Sequence, residues 1–359
     1  MKALERFGFD EEQLKRFAAR AGEASDNFIT ATITPPTADD VSTLPARGTP
    51  AHVELVKRGE DAIRAKQVGV IVLAGGMATR FGGVVKAAVP VIDNRTFLDL
   101  KHADVRQLSA KLGVPITTYV MTSYATHDRI VQQVRDEKLE TDTTKIVCFP
   151  QMVSLRLLPD GKVFLEDGEP SPYATGHGDL TFALRQSGVL GRFRRGGGTL
   201  LYMSNVDNLG ATLDPAVIGA HLARGAKITA EVVRKDAGDK GGAPARVDRV
   251  PQIVEAFRFP PSFDQNAIPL FNTNSFVFDA EAIDRDFDLT FFRVEKKVDN
   301  TKVIQFERLV GQLTAFLPSH FLDVPRSGPD GRFQPVKDPE EMAARRADIE
   351  QILRARGVI

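Results

Sequence analysis

The chain has 359 residues with 47 Lys+Arg against 47 Asp+Glu, and this formal net charge of zero excludes a surface that holds nucleic acid by bulk electrostatics. Apolar residues make up 42% and charged residues 26%, values of a soluble globular protein with room for two medium domains or one large α/β domain with appendages. The single cysteine, Cys148, excludes an intramolecular disulfide and a cysteine-rich zinc site; with no apolar segment after Met1 and no 18-residue apolar run, the expected setting is cytoplasmic, neither secreted nor membrane-spanning.

Residues 10 to 24 carry Leu14, Phe17, Ala18 and Ala21 on one stripe, which predicts an amphipathic helix. Pro35, Pro36, Pro45 and Pro50 then mark an extended connector over 34 to 50, followed by a second helix near 51 to 66, so residues 1–65 read as an N-terminal helical extension and linker. From Val68 short β-rich runs near 68 to 73, 116 to 121, 145 to 149 and 199 to 204 alternate with helical runs near 97 to 112, 126 to 138, 178 to 188 and 214 to 224. That alternation predicts an α/β fold: a mixed, mostly parallel Rossmann-like sheet flanked by helices. Residues 227 to 257, punctuated by Gly238, Gly241 and Gly242, read as an antiparallel insertion covering the site, and a final helix fits 339 to 356. The expected division is a central domain over 66–322 and a short C-terminal segment over 323–359.

In sheets of this kind ligands bind beyond the carboxyl ends of the strands, where segments 74 to 86, 122 to 125 and 205 to 210 fall. The first follows the apolar run Val70-Ile71-Val72-Leu73 with Ala74-Gly75-Gly76-Met77-Ala78-Thr79-Arg80-Phe81-Gly82-Gly83. Glycine lets backbone N–H groups approach an anion closely, so the segment suits a phosphate cradle or an ordinary strand-to-loop turn. It is neither G-x-G-x-x-G nor G-x-x-x-x-G-K-[ST]. Asp207, in Ser204-Asn205-Val206-Asp207-Asn208-Leu209-Gly210, suits Mg²⁺ beside a nucleotide; an Asx-turn or strand cap is the alternative. His177, between Gly176 and Gly178 at a helix start, offers a neutral imidazole and free N–H groups to phosphate or sugar hydroxyls, with capping by Asp179 as the simpler reading. The carboxamides of Phe271-Asn272-Thr273-Asn274 need hydrogen-bond partners, which sugar hydroxyls or local backbone would supply. The Lys296-Lys297 pair fits a solvated face or a phosphate site.

In order and wording these segments resemble the eukaryotic-type UTP:glucose-1-phosphate uridylyltransferases, from about Val68 to Lys337. The match includes the glycine loop, Thr96-Phe97-Leu98-Asp99-Leu100, Phe149-Pro150-Gln151, Gly176-His177-Gly178-Asp179, Ser204 through Thr212, Lys240-Gly241-Gly242, Phe271-Asn272-Thr273-Asn274, Val303-Ile304-Gln305 and Val324-Pro325-Arg326-Ser327. The resemblance implies a nucleotidyltransferase domain that moves a uridylyl group from UTP to a sugar 1-phosphate, foremost glucose 1-phosphate, with release of pyrophosphate. It implies that Leu73, Ala74, Gly75 and Gly76 contact uridine and phosphates, Gln151 reads the uracil edge and Gly176 lies against the ribose. His177, Asn205 and Asn274 would hold the sugar phosphate, Asp207 would bind Mg²⁺, and Lys86 and Lys297 would neutralise phosphate charge. A relative using N-acetylglucosamine 1-phosphate or several sugars, and a sugar-nucleotide sensor without turnover, are the alternative readings.

The chain departs from the family pattern at Ala78, where glycine is usual, at Val84-Val85-Lys86-Ala87, which lacks a proline and is one residue shorter, and in a shortened segment around Lys296 and Lys297. Gly328-Pro329-Asp330-Gly331 is an insertion. The chain stops soon after Lys337, so a β-helical C-terminal domain of the kind that assembles typical members is not expected; the expected state is a monomer or small homo-oligomer.

Overall fold

The computed structural model describes residues 2–23, 27–239 and 241–359. Its frame is an eight-stranded mixed sheet made of β1 (Val41–Thr43), β2 (Val68–Leu73), β3 (Ile116–Thr122), β4 (Thr144–Pro150), β5 (Leu200–Asn205), β6 (Ile228–Arg234), β7 (Leu270–Asp279) and β8 (Ser319–Asp323). The spatial order is β1-β8-β6-β7-β5-β2-β3-β4. Only β7 runs against its neighbours, β5 and β6; every other pairing in this sheet is parallel, as the alternation predicts.

Both faces of the sheet are covered, which is why β2 is apolar at every position rather than at alternate ones. Val70 and Val72 enter one core with Ala62, Phe97, Ile130, Ala216 and Ile349; Ile71 and Leu73 enter a second core with Leu180, Leu184 and Leu190. The first layer holds α2 (Pro50–Arg64), α3 (Phe97–Leu112), α4 (His127–Asp136), α7 (Pro215–Arg224) and α8 (Pro339–Ala355); the second holds α5 (Leu180–Gln186) and α6 (Val189–Arg195). Helices α2, α7 and α8 start on the same device, a Thr or Asp cap followed by proline: Thr49-Pro50, Asp214-Pro215 and Asp338-Pro339. Where α2 crosses α7 the contact is backbone on backbone, since a Cβ on Gly59 would lie 1.8 Å from the Pro215 oxygen.

Several expectations shift. Helix α1 (Glu11–Arg20) is shorter than 10 to 24, and Ala24 lies outside the described residues. The second helix ends at Arg64 because Lys66 takes φ +58°, which a helix does not tolerate. The connector over 34 to 50 is not merely extended: Val41–Thr43 is an edge strand paired with Phe321–Asp323. Residues 228–234 do not belong to an insertion but run in the middle of the sheet. Only Ala243–Val247 and Val250–Val254 form the antiparallel hairpin, joined by Ile33–Thr34 from the N-terminal segment. The longest of the two-stranded antiparallel ribbons among the described residues, Phe292–Val298 with Thr301–Glu307, packs through Phe306 on Phe17 of α1, their rings stacked at 4.5 Å.

Candidate functional site

Strands β5, β2 and β3 lie side by side in parallel, with Leu73 opposite both Asn205 and Met121. Their carboxyl ends are therefore level, and the glycine loop, the 123–126 turn and the Asp207 loop open on one edge.

The glycine loop is anchored at its start by the Ala74 N–H donating to the Met121 carbonyl (2.8 Å) and by Thr126 Oγ1 donating to the Ala74 carbonyl (3.0 Å). A Cβ on Gly75 would stand 2.3 Å from Nε2 of Gln151, so the bare glycine is what lets that carboxamide lie against the loop. Gln151 is buried, yet among the described residues its side chain has no hydrogen-bond partner. Beyond Gly76, Met77–Ala78 pairs with Val84–Val85 across left-handed Gly82 and Gly83 (φ +83° and +78°). Ala78 is buried in the first core, so the methyl group is accommodated there. This small hairpin delivers Lys86, whose Nζ donates to Oδ2 of Asp207 at 2.6 Å, with both side chains about five-sixths buried. Asp207 therefore spends its side chain on a lysine 121 positions away rather than on an Asx-turn.

Asn205 closes β5, and its Oδ1 accepts from Nδ2 of Asn274 at 2.9 Å. Asn274 reaches it through an irregularity in β7: the register with β6 shifts between Glu231 and Val232, and Asn274 takes φ +58°. A bulge of this kind re-aims one side chain out of the pleat. Asn272 supports the turn by accepting the Asn274 N–H on Oδ1 (3.1 Å). The pair leaves the Nδ2 of Asn205 and the Oδ1 of Asn274 as donor and acceptor for a ligand.

Gly176 has φ +98°, and a Cβ there would fall 2.4 Å from the Arg308 carbonyl oxygen. The chain at Arg308 lies directly on Gly176 and Gly178, whose N–H donates to Arg308 (2.9 Å). His177 between them accepts the Val310 N–H on Nδ1 at 3.1 Å. A backbone amide can only donate, so the neutral ring carries its proton on Nε2, ready to donate to an anion. Burial lowers the imidazole to about 4, which keeps it neutral near pH 7. Asp179 makes no cap bond; it is fully buried and accepts from Thr175 (2.6 Å), the Met152 N–H (3.1 Å) and Arg308 (2.6 Å).

Lys297 is not brought to the Lys86–Asp207 pair. It is exposed on the 292–307 ribbon, opposite Lys302, and among the described residues no hydrogen bond or ion pair joins it to Asp207. Lys296, on the other face, pairs with Glu307 at 3.7 Å. Lys240 of the Lys240-Gly241-Gly242 segment lies outside the described residues. One carboxylate that sequence reasoning passed over is Glu255. A Cβ on Gly242 would lie 3.1 Å, and one on Gly311 3.8 Å, from its Oε1, so the carboxylate sits between two bare backbones, the second of them following Val310 in the chain. Burial raises it to about 6, against the opposing charge of Arg258, and among the described residues no donor satisfies it. Its signal in sequence is a lone acid closing the apolar run Ile253-Val254.

Among the described residues no three His, Cys, Asp or Glu side chains gather into a metal cage. The donor set fits a hard divalent cation through Asp207: among the described residues its Oδ1 is free of protein donors, and a single carboxylate suffices for an ion that takes its remaining ligands from phosphate and water.

The family model for UTP–glucose-1-phosphate uridylyltransferase matches residues 14–353. A UTP–glucose-1-phosphate uridylyltransferase 2 of Dictyostelium discoideum is 29% identical over 328 residues, 86% of this chain and 63% of the relative. The enzyme of that name from Hordeum vulgare is 29% identical over 80% of this chain and 64% of its own length. Among solved structures, a mutant of the UDP-glucose pyrophosphorylase of Leishmania major in complex with UDP-glucose superposes with a TM-score of 0.71 at 25% identity, over 92% of this chain and 73% of that one. The chain thus spans less than two thirds of the length of the curated relatives it matches. With the sheet edge, the glycine loop and the Asn205–Asn274 pair in place beneath that match, the chain belongs to the UTP–glucose-1-phosphate uridylyltransferase family.

Proposed function

We propose that this chain transfers the uridylyl group of UTP to glucose 1-phosphate, giving UDP-glucose and pyrophosphate. The observation that carries the reading is the Lys86–Asp207 pair at 2.6 Å, placed between the glycine loop and the Asn205–Asn274 carboxamides on one sheet edge. A phosphate oxygen of the sugar attacks the α-phosphorus of UTP, the bond from that phosphorus to the bridging oxygen of the β-phosphate breaks, and pyrophosphate leaves with the electron pair. The nucleophile is already ionised at neutral pH, so the protein has to position and neutralise rather than abstract a proton.

The geometry supports the following roles. Gly75 and Gln151 form the surface for the uracil, with a carboxamide that has no protein partner among the described residues to read its edge. His177 Nε2–H, Asn205 Nδ2 and the backbone N–H groups near Gly176 donate to phosphate and ribose. Glu255, lacking a donor of its own, accepts from sugar hydroxyls. Lys86 exchanges part of its bond to Asp207 for the phosphates. Asp207 would hold Mg²⁺, which when bound offsets the charge on the two anionic substrates. Lys297, exposed on the ribbon, is proposed to reach the phosphates only in the substrate complex.

The test is pyrophosphate release with UTP, Mg²⁺ and glucose, galactose or N-acetylglucosamine 1-phosphate, run beside Asp207→Ala, Lys86→Ala and Glu255→Gln. The expected result is preference for glucose 1-phosphate, with a loss of about 10²-fold or more in the Asp207 and Lys86 variants. Release with N-acetylglucosamine 1-phosphate alone would replace the sugar. Binding of UDP-glucose with no release from any sugar would replace the enzyme with a sensor.

A further inference from the structure

The Asp207 loop rests on a lysine that none of these roles uses. Lys101 follows Leu100 on α3 and is 4% exposed, surrounded on its helix by Phe97, Leu98 and Leu100, all fully buried. Its Nζ donates to Oγ of Ser204 at 2.9 Å and to the carbonyl of Ala211, and Ser204 Oγ also donates to that carbonyl at 3.1 Å. Ser204 and Ala211 are the two residues that bracket Asn205–Gly210. One amine thus ties the entrance of the loop to its exit.

No carboxylate lies within ion-pair distance of Lys101 among the described residues; the nearest opposing charges, Asp104 and Asp207, act through space while Arg356 and Arg332 act against them. Burial lowers the amine to about 7, and it donates whether or not it carries the extra proton. An unpaired buried amine costs stability that an apolar side chain on the same helix face would not. The bonds it makes are what the loop gains. The opposite side of the loop is held separately: Asn208 Nδ2 donates to the Arg332 carbonyl (3.1 Å), and Arg356 donates to the Gly210 carbonyl (2.9 Å). From the sheet side the Val206 N–H donates to the Leu73 carbonyl of β2 (3.1 Å), and among the described residues Lys101 is the side chain that joins both ends of the segment that presents Asn205 and Asp207.

We infer that Lys101 is a positioning residue for uridylyl transfer: it staples the Asn205–Gly210 loop in the geometry that aims Asp207 and Asn205 at the phosphates. The inference rests on the assignment of those two residues to the substrate site.

The experiment compares the full-length chain with Lys101→Met, which keeps the length and removes the donors, and with Ser204→Ala, which removes one of the two acceptors. Hydrogen exchange by mass spectrometry reads the loop, and steady-state kinetics with UTP and glucose 1-phosphate read its consequence. In Lys101→Met, amides over 205–211 are expected to exchange about 10-fold faster while those of β2, β3 and β5 stay unchanged. The turnover number is expected to fall about 100-fold, with the KM for UTP within about threefold, because the uridine surface at Gly75 and Gln151 is not touched. Ser204→Ala is expected to fall between Lys101→Met and the natural protein.

Unchanged exchange over 205–211 in Lys101→Met overturns the staple, and a loosened loop with unchanged turnover overturns its positioning role. Faster exchange spread evenly over the sheet shows a core residue only and overturns both. Should the natural protein itself release no pyrophosphate from any sugar, the transferase reading fails, and the exchange result alone then decides the staple.

Discussion

Asp179 and Arg308 form a buried ion pair at 2.6 Å that joins the start of α5 to the end of the 292–307 ribbon. The guanidinium is held over the faces of Phe182 (3.9 Å) and Phe291 (4.6 Å), while the Arg308 backbone covers Gly176 and Gly178. The same carboxylate accepts the Met152 N–H one residue beyond Gln151. The pair therefore fixes the Gln151–Met152 segment and the His177 turn against one another.

Asp179→Ala leaves Arg308 as a buried charge without its partner, and the expected loss in unfolding free energy is about 3 kcal/mol. Asp179→Ala combined with Arg308→Met removes both charges and is expected to recover part of it. Urea unfolding of the three proteins checks this; a double variant no more stable than Asp179→Ala would show that the carboxylate's bonds to Thr175 and Met152 carry the effect instead.

Gly75 and Gly76 are adjacent but not equivalent. A methyl at 75 collides with the Gln151 carboxamide at 2.3 Å, whereas one at 76 meets open space within 4 Å. Gly75→Ala is expected to weaken UTP binding by about 10-fold or more through displacement of Gln151, and Gly76→Ala to leave the melting temperature unchanged. Calorimetric titration with UTP and thermal melts of both variants distinguish them, and equal effects in the two would contradict the geometry.

Burial lowers His102, His177, His221 and His320 each to about 4. The unfolded chain takes up protons at these rings from about pH 6.5 downward, and the native state does not until about pH 4. Stability is therefore expected to fall as pH drops through that window, by about 1–2 kcal/mol per ring at pH 5. Glu255, raised to about 6, binds its proton first in the native state and offsets part of the loss. The urea midpoint at pH 7.5 and pH 5.0 measures the balance; His221→Gln is expected to narrow the difference, and equal midpoints for the natural protein would refute the burial argument.

Phe17 is 1% exposed and sits against Phe306, Phe291, Leu157 and Ile304. Phe17→Ala is expected to cost about 3–4 kcal/mol and to expose α1 to proteolysis. Limited digestion that leaves residues 11–20 as resistant as in the natural protein would show that α1 is held by other contacts.

The apolar run Val70–Leu73 emptying into glycines, the alternation of strands with capped helices, and the ordered segments from Gly75 to Arg326 specify the sheet edge and the candidate residues, because strand burial, helix capping and glycine turns are local properties. Lys86, Asp207, Asn205, Asn274 and His177 are all legible as types in their places. Other features depend on partners far away in the chain. The Lys86–Asp207 bond needs the Gly82–Gly83 turn and the parallel pairing of β5 with β2 together. The aim of Asn274 depends on a bulge created against β6. Residues 228–234 look like an insertion beside Gly238 and Gly241 until β7 and β8 flank them, and Val41–Thr43 becomes a strand only because Phe321–Asp323 supplies an edge. Glu255 and Lys101 gain their character from burial, which no window of sequence contains. Sequence alone determined the kinds of groups available and their strand-end positions; tertiary structure decided which of them meet, because meeting is set by register and layer packing across more than a hundred residues.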